Sequence, residues 1–281
     1  MQIEEQQALD RMVASGIRIP PQPRVLIELR RKIASDVYDI RSIAGIIGQD
    51  PGLVAMLFKA SRSPVFARGR KFDKLDQVLQ VIGIKQTYNL VQAIALSTAV
   101  SDGKRKAFEV FWRRASDVAQ IAAMIAEDQV SVCNVFPDQA YMAGIFHECG
   151  VPVLMMRFPD YCGKLHLDHA CCWPSLAEED TKFDVDHTSV GYLVARHWGL
   201  PDFVCAAIRY HHEMPGEEMG AVISLVAILQ LAIYFHLRLN DQDNPVWDRI
   251  GDQVLDELGF KSDYLEHYFE DITERFHAAA H

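Results

Sequence analysis

Apolar residues recur along this chain three and four positions apart, and no stretch alternates convincingly between apolar and polar, so the sequence predicts helices and no strands. After Pro20, Pro21 and Pro23, a helix carries Val25, Leu26, Leu29 and Ile33 on one face, and a shorter one carries Ile43, Ile46 and Ile47. Asp50 before Pro51 is an N-cap with proline at the first helical position, ahead of Leu53, Met56, Leu57 and Ala60. SRSPVFARGRKFDK reads as a polar, basic loop. Val78, Leu79 and Ile82 lead to Gly83, and Gln86 to Ala99 forms a helix with Leu90, Val91 and Ile94 inward.

SDGKRK at 101 to 106 is a short, polar, glycine-containing break between two long helical segments and is the expected domain boundary. A long helix from about Phe108 to Glu127 follows it, then a helix ending at AGIFHECG and an apolar stretch from Val151 to Phe158. AEEDTKFDVDHTSVGYLVARHWGLP reads as one helix that stops at Gly199, with Pro201 opening the next, DFVCAAIRYHHE. The tail gives two amphipathic helices, one with Trp247, Ile250, Val254 and Leu258 and one with Leu265, Tyr268, Phe269 and Ile272. No internal repeat or low-complexity segment is present.

Composition narrows the class. The 281 residues are 49% hydrophobic and 23% charged, the profile of a globular protein with a sizeable core. A net charge of -10 repels polyphosphate and anionic lipid, so nucleic acid is not expected as a partner. The stretch AVISLVAILQLAIYF from Ala221 is broken by Ser224 and Gln230 and reads as a buried helix; no membrane span and no secretory signal are expected. The six cysteines lack a CxxC and read as reduced thiols, which places the protein in the cytoplasm. Arg62, Arg68, Arg70, Lys71 and Lys74 form a basic patch that would suit an acidic partner or a phosphate, although such runs usually just face water.

Four of the eleven histidines stand where ligation would suit them: His147 beside Glu148, His187 after Asp186, and the adjacent His211 and His212. Helices can aim such groups into one cavity. Separate buried histidines, each satisfying a backbone carbonyl, are the commoner arrangement, and spacing alone leaves both open. Cys162, His166, His169, Cys171 and Cys172 do not match zinc-finger spacing. No GxSxG, Walker or GxGxxG motif occurs, so no catalytic residue is assigned.

IPPQPRVLIELRRKI, IAGIIGQDPGLVAMLFKASRSPVF and LDQVLQVIGIKQTYNLV, followed by FWRRASDVAQIAAMIA, AYMAGIFHECGVPVL and DHTSVGYLVARHWGLPDFVCAAIRYHHE, resemble in order the segments of HDOD domains, bacterial output modules related to HD-type metal-dependent phosphohydrolases. The resemblance implies an all-α fold: an HD-like helical bundle, 105–240, with an additional N-terminal helical subdomain, 1–104, and a C-terminal helical extension, 241–281. It also implies where a metal site would lie. The first histidine of catalytic relatives falls on Arg114, in WRRAS where a relative would read WxHS. The His-Asp doublet falls on His147 and Glu148, and further histidines correspond to His187, His211 and His212. The last aspartate falls in SLVAILQLA, where Ala227 or Gln230 stands instead.

Arg114 brings a permanent cation to a metal ligand's place, and the missing carboxylate removes charge that a hard cation needs. The site so implied is vestigial, with an Arg114–Glu148 ion pair expected where the metal would sit. No resident cofactor is expected, although the histidines keep donors that suit one divalent iron, manganese, zinc or nickel ion. The resemblance implies a non-catalytic signalling module that binds a protein partner. A metal-dependent phosphohydrolase, with Arg114 as a phosphate clamp, is the alternative.

Overall fold

Side-chain caps and glycines set the helix ends as the sequence requires. The structure, a computed structural model, describes residues 10–18, 22–35, 38–62, 66, 72–97, 105–167 and 173–279, and no strand occurs among them. Of the expected basic patch, Arg68, Arg70 and Lys71 lie outside the described residues, as do His169, Cys171 and Cys172.

Residues 20–98 form one compact unit. Its helices are α1 (Arg24–Ala34), α2 (Ile40–Ile47), α3 (Pro51–Ser61), α4 (Leu75–Ile82) and α5 (Ile84–Ser97). Asp39 caps α2 by accepting from the Ser42 amide at 2.6 Å, and Asp50 caps α3 by accepting from Gly52 and Leu53. Gly83, at φ +84°, ends α4 in a conformation that L side chains rarely adopt. The buried faces are those of the apolar spacing: Leu26 and Leu29, Ile43 and Ile47, Leu53 and Leu57, Val78 and Leu79.

The rest of the chain forms the second unit. It holds α6 (Arg105–Cys133), α7 (Pro137–Phe146), α8 (Gly150–Arg157), a single turn at Tyr161–Lys164, α9 (Leu176–Phe183), α10 (His187–Trp198), α11 (Asp202–Tyr210), α12 (Ala221–Leu239), α13 (Trp247–Leu258) and α14 (Leu265–Ala279). Helix α12 is long and apolar enough to cross a membrane by length and composition, yet 67% of its apolar window is buried against its neighbours. It packs on α6, α7, α11 and α13.

This division differs from the expected one in two respects. The described residues 10–18 belong to the larger unit, where Arg157 donates to the Ser15 carbonyl at 2.9 Å. The tail is no separate extension either: Val254, Leu258, Tyr268 and Ile272 join the core of α6, α7 and α12. Asp128 of α6 accepts from the Tyr268 hydroxyl at 2.8 Å and from Arg275 at 2.7 Å.

One expected helix is two. Asp184 turns into the left-handed region at φ +58° and ends α9. Asp186 then caps α10, accepting from the Ser189 amide at 2.8 Å and the Thr188 hydroxyl at 2.5 Å. The break puts a new helix start immediately before His187.

Glycines let the motif-bearing segments approach. A Cβ at Gly150 would overlap the His187 carbonyl and stand 2.8 Å from the Gly191 amide. The glycine ending HECG therefore lets α8 lie directly on α10. Gly150→Ala is expected to destabilise the unit by about 1–3 kcal/mol through overpacking, read as a lower thermal midpoint by circular dichroism; an unchanged midpoint would refute the contact.

Candidate functional site

The short connections after α7, before α10 and after α11 bring the histidines together. His187 is the first residue of α10, and His211 and His212 follow the last turn of α11. The His187 Nε2 lies 3.1 Å from Nε2 of His211 and 3.1 Å from Nε2 of His212. Among the described residues these three form the group of His, Cys, Asp and Glu placed to share an ion, with ligand atoms all within 4.8 Å of one another. His187 and His211 are fully buried and His212 is partly exposed.

The partners fix the tautomers. A carbonyl only accepts, so His211 donates from Nδ1 to Ile208 at 2.8 Å and keeps its lone pair on Nε2. His147 does the same towards the Gly144 carbonyl at 2.7 Å. His187 Nδ1 stands 2.7 Å from Glu179 Oε2, which also accepts from the His187 amide at 3.0 Å. Glu179 Oε1 accepts from the Tyr161 hydroxyl, and Glu179 is fully buried. A carboxylate behind an imidazole in this way orients the ring and raises its basicity.

Electrostatics divides the three rings. Burial disfavours charge on His187, but the Glu179 carboxylate outweighs it and holds the imidazole up at about 9. Burial, reinforced by the neighbouring imidazoles, keeps His211 and His212 well below the usual range. A protonated His187 thus donates to Glu179 on one side and to the Nε2 lone pair of His211 on the other.

His147 and Glu148 do not join this group, though the His147 ring lies 5.1 Å from that of His211. Both are buried, and His147 Nε2 and Glu148 Oε1 have no hydrogen-bond partner. Among the described residues no ion pair joins Arg114 to Glu148, where one was expected. Arg114 is buried at the doublet's side of the unit, and its guanidinium lies 4.7 Å from the centroid of the Trp173 ring, whose face takes the cation. That indole also lies 6.3 Å from His147 and 5.7 Å from His236, with its N–H donating to Gln242 at 3.2 Å. Gln230, near the expected place of the last aspartate, donates its amide to the His211 carbonyl.

Nucleophilic alternatives find no support in the geometry. The Ser116 hydroxyl donates to the Trp112 carbonyl at 2.8 Å. Cys133, Cys149 and Cys205 are free thiols, and burial pushes the Cys205 thiol up to about 11.

The HDOD domain family profile matches residues 19–214, most of the chain. The chain belongs to the HDOD domain family. This HDOD protein is 27% identical over 225 residues to an uncharacterised protein of Treponema pallidum (strain Nichols), a match that covers 77% of the chain. The chain spans 42% of the length of that relative. Among solved structures it superposes on an HDOD domain protein of unknown function from Geobacter sulfurreducens with a TM-score of 0.65, 20% identity and coverage of 99% and 97% of the two chains. A Shewanella amazonensis SB2B protein whose name proposes a phosphohydrolase gives 0.63 at 20% identity, covering 95% and 93%. A Marinobacter aquaeolei VT8 protein whose name proposes signal transduction gives 0.68 at 20% identity, covering 98% of this chain and 65% of that one. At such identities the structural likeness establishes the helical HDOD fold alone.

Sequence reasoning singled out His187, His211 and His212, which converge, and missed Glu179, Tyr161 and Trp173. Leu176, Glu179 and Phe183 follow one another at i, i+3 and i+7, so the carboxylate lies on the apolar stripe of α9, the one signal that could have found it.

Proposed function

We propose that this HDOD protein is a non-catalytic signalling module, acting in the cytoplasm by binding a partner protein or a ligand, with an HD-type metal site that has degenerated. The observation that carries this reading is Arg114, a buried guanidinium stacked on Trp173 at the place where the resemblance puts the first metal-binding histidine. A permanent cation there opposes a second divalent ion. Gln230, neutral and bonded to the His211 carbonyl, supplies no charge in place of the last aspartate.

What remains offers nitrogen donors for one ion, with the ligand atoms all within 4.8 Å of one another. Three nitrogens on a tetrahedral ion with bonds of about 2.05 Å stand about 3.3 Å apart, close to the 3.1 Å between His187 Nε2 and each of its neighbours. His187, His211 and His212 would hold the ion, and Glu179 would fix His187 towards it. Such an ion, when bound, supplies Lewis-acid activation of water and of a phosphoryl group.

A metal-dependent phosphohydrolase is therefore the second reading, favoured by that convergence. The test is elemental analysis of protein purified without an affinity tag, followed by assay of bis(p-nitrophenyl) phosphate with manganese or iron. Turnover no greater than that of His187→Ala is the expected result. Turnover that tracks metal content and vanishes in His187→Ala would replace the first reading with the second.

A further inference from the structure

A cavity of about 690 Å3 lies beside the histidine cluster, within the larger unit, and His212 is the one cluster residue that lines it. Its walls come mainly from α10 and α11, with Val222 of α12 and Arg249 of α13. The volume is that of a small-molecule site.

Eight side chains of full charge line the cavity, four arginines and four acids, and six of them face an opposite charge. Asp186 is taken up by the start of α10, where it accepts from Thr188 and Ser189. That helix N-terminus is thereby closed to any other anion. Arg196 pairs with Asp202 at 3.1 Å, and Arg209 with Glu213 at 3.6 Å. Asp180 lies in the field of Arg11. Arg249 is left over: among the described residues its guanidinium makes no hydrogen bond or ion pair. It is exposed on α13, yet close enough to His212 for its charge to act on that ring. In a chain of net charge -10, the lining balances four cations against four acids, and Arg249 is its one cation with no carboxylate bonded to it or named in its field among the described residues. Phe203 and Tyr210, both partly buried, give the same cavity an apolar flank.

We propose that this cavity binds a small organic anion, a carboxylate or phosphorus oxyanion on an apolar or aromatic body, with the anionic group on Arg249 beside His212 and the body against Phe203 and Tyr210. A guanidinium suits either anion because both accept two parallel N–H bonds. The site goes beyond the binding role proposed above. It needs neither an ion on the histidines nor turnover.

The test uses phenylphosphonate, which carries the anion and the ring but no ester to hydrolyse, with benzoate as the carboxylate arm and benzyl alcohol as the neutral one. Binding to the whole protein, stripped with a chelator, is followed by calorimetry and ligand-observed NMR. Saturable binding of at least one anion at millimolar concentration or below is expected, with none for benzyl alcohol. Arg249→Glu should weaken it about tenfold or more, the scale of one lost charge-assisted pair, and Arg249→Lys, which keeps the charge but loses the two parallel N–H bonds, should weaken it less than Arg249→Glu does. Because Arg249 is exposed, both variants should melt as the wild type does. Absence of saturation, equal binding of benzyl alcohol, or wild-type affinity in Arg249→Glu would overturn the proposal. Hydrolysis assays play no part, so failure here is distinct from failure of the non-catalytic reading.

Discussion

Glu179→Ala is expected to lower folding stability by about 3–5 kcal/mol, the cost of removing one partner from a buried charged network. Three donors lose their acceptor at once: the Tyr161 hydroxyl, the His187 amide and His187 Nδ1. Water does not replace it, since Glu179, His187 and Tyr161 are all fully buried. Urea unfolding of the variant against the wild type measures the loss, and a difference below about 1 kcal/mol would mean that the network contributes no more than an ordinary hydrogen bond. The same pair sets a pH dependence. Burial alone would lower the His187 pKa, yet the Glu179 carboxylate holds it at about 9, above the value near 6.5 of an unfolded histidine. A raised folded-state value stabilises fully below pH 6.5, and that contribution is lost as pH rises through about 9. Glu179→Gln keeps the volume and removes the charge, so the descent seen in the wild type between about pH 6.5 and 9 should be absent from its stability curve.

The helices were legible because their signals are local. Asp50 before Pro51, Gly83, and Gly199 before Pro201 mark ends that any packing must respect, and the apolar stripes name the faces that are buried. The break between α9 and α10 was hidden because Asp184 turns there without glycine or proline, and Asp186 reads equally well as an interior acid of one long helix or as the cap of a second. Burial of a charge depends on what packs over it, and that is not local. Glu178, Glu179 and Asp180 are adjacent acids in the sequence; Glu179 alone is fully buried, because it shares a helix face with Phe183, while Glu178 bonds Lys182 at the surface. Arg114 shows the converse. Its place on α6 was legible, but its partner was not, since the carboxylate of Glu148 is the obvious electrostatic choice and the face of Trp173, distant in sequence, takes the guanidinium instead.

Zinc or nickel uptake should saturate at one ion per chain, with an apparent affinity that rises about tenfold per pH unit up to about pH 9. The sign follows from the proton that must leave. In the metal-free protein His187 holds a proton through neutral pH, while His211 and His212 are already neutral and His211 keeps its Nε2 lone pair. The ion therefore displaces one proton from His187, and the displacement becomes easier as pH approaches that group's own value. Above about pH 9 the dependence should level off. Equilibrium dialysis across this range, with the released proton counted in weakly buffered solution, tests both parts. His187→Ala and His211→Ala should abolish uptake, and Glu179→Gln should weaken it about 10- to 100-fold, the usual effect of losing a carboxylate behind a ligating histidine. His147→Ala should leave it nearly unchanged, because its Nε2 lies outside the group of three. Two ions per chain, or loss of uptake in His147→Ala, would put the centre back on the His147–Glu148 doublet and would mean that Arg114 moves off Trp173 to make room for it.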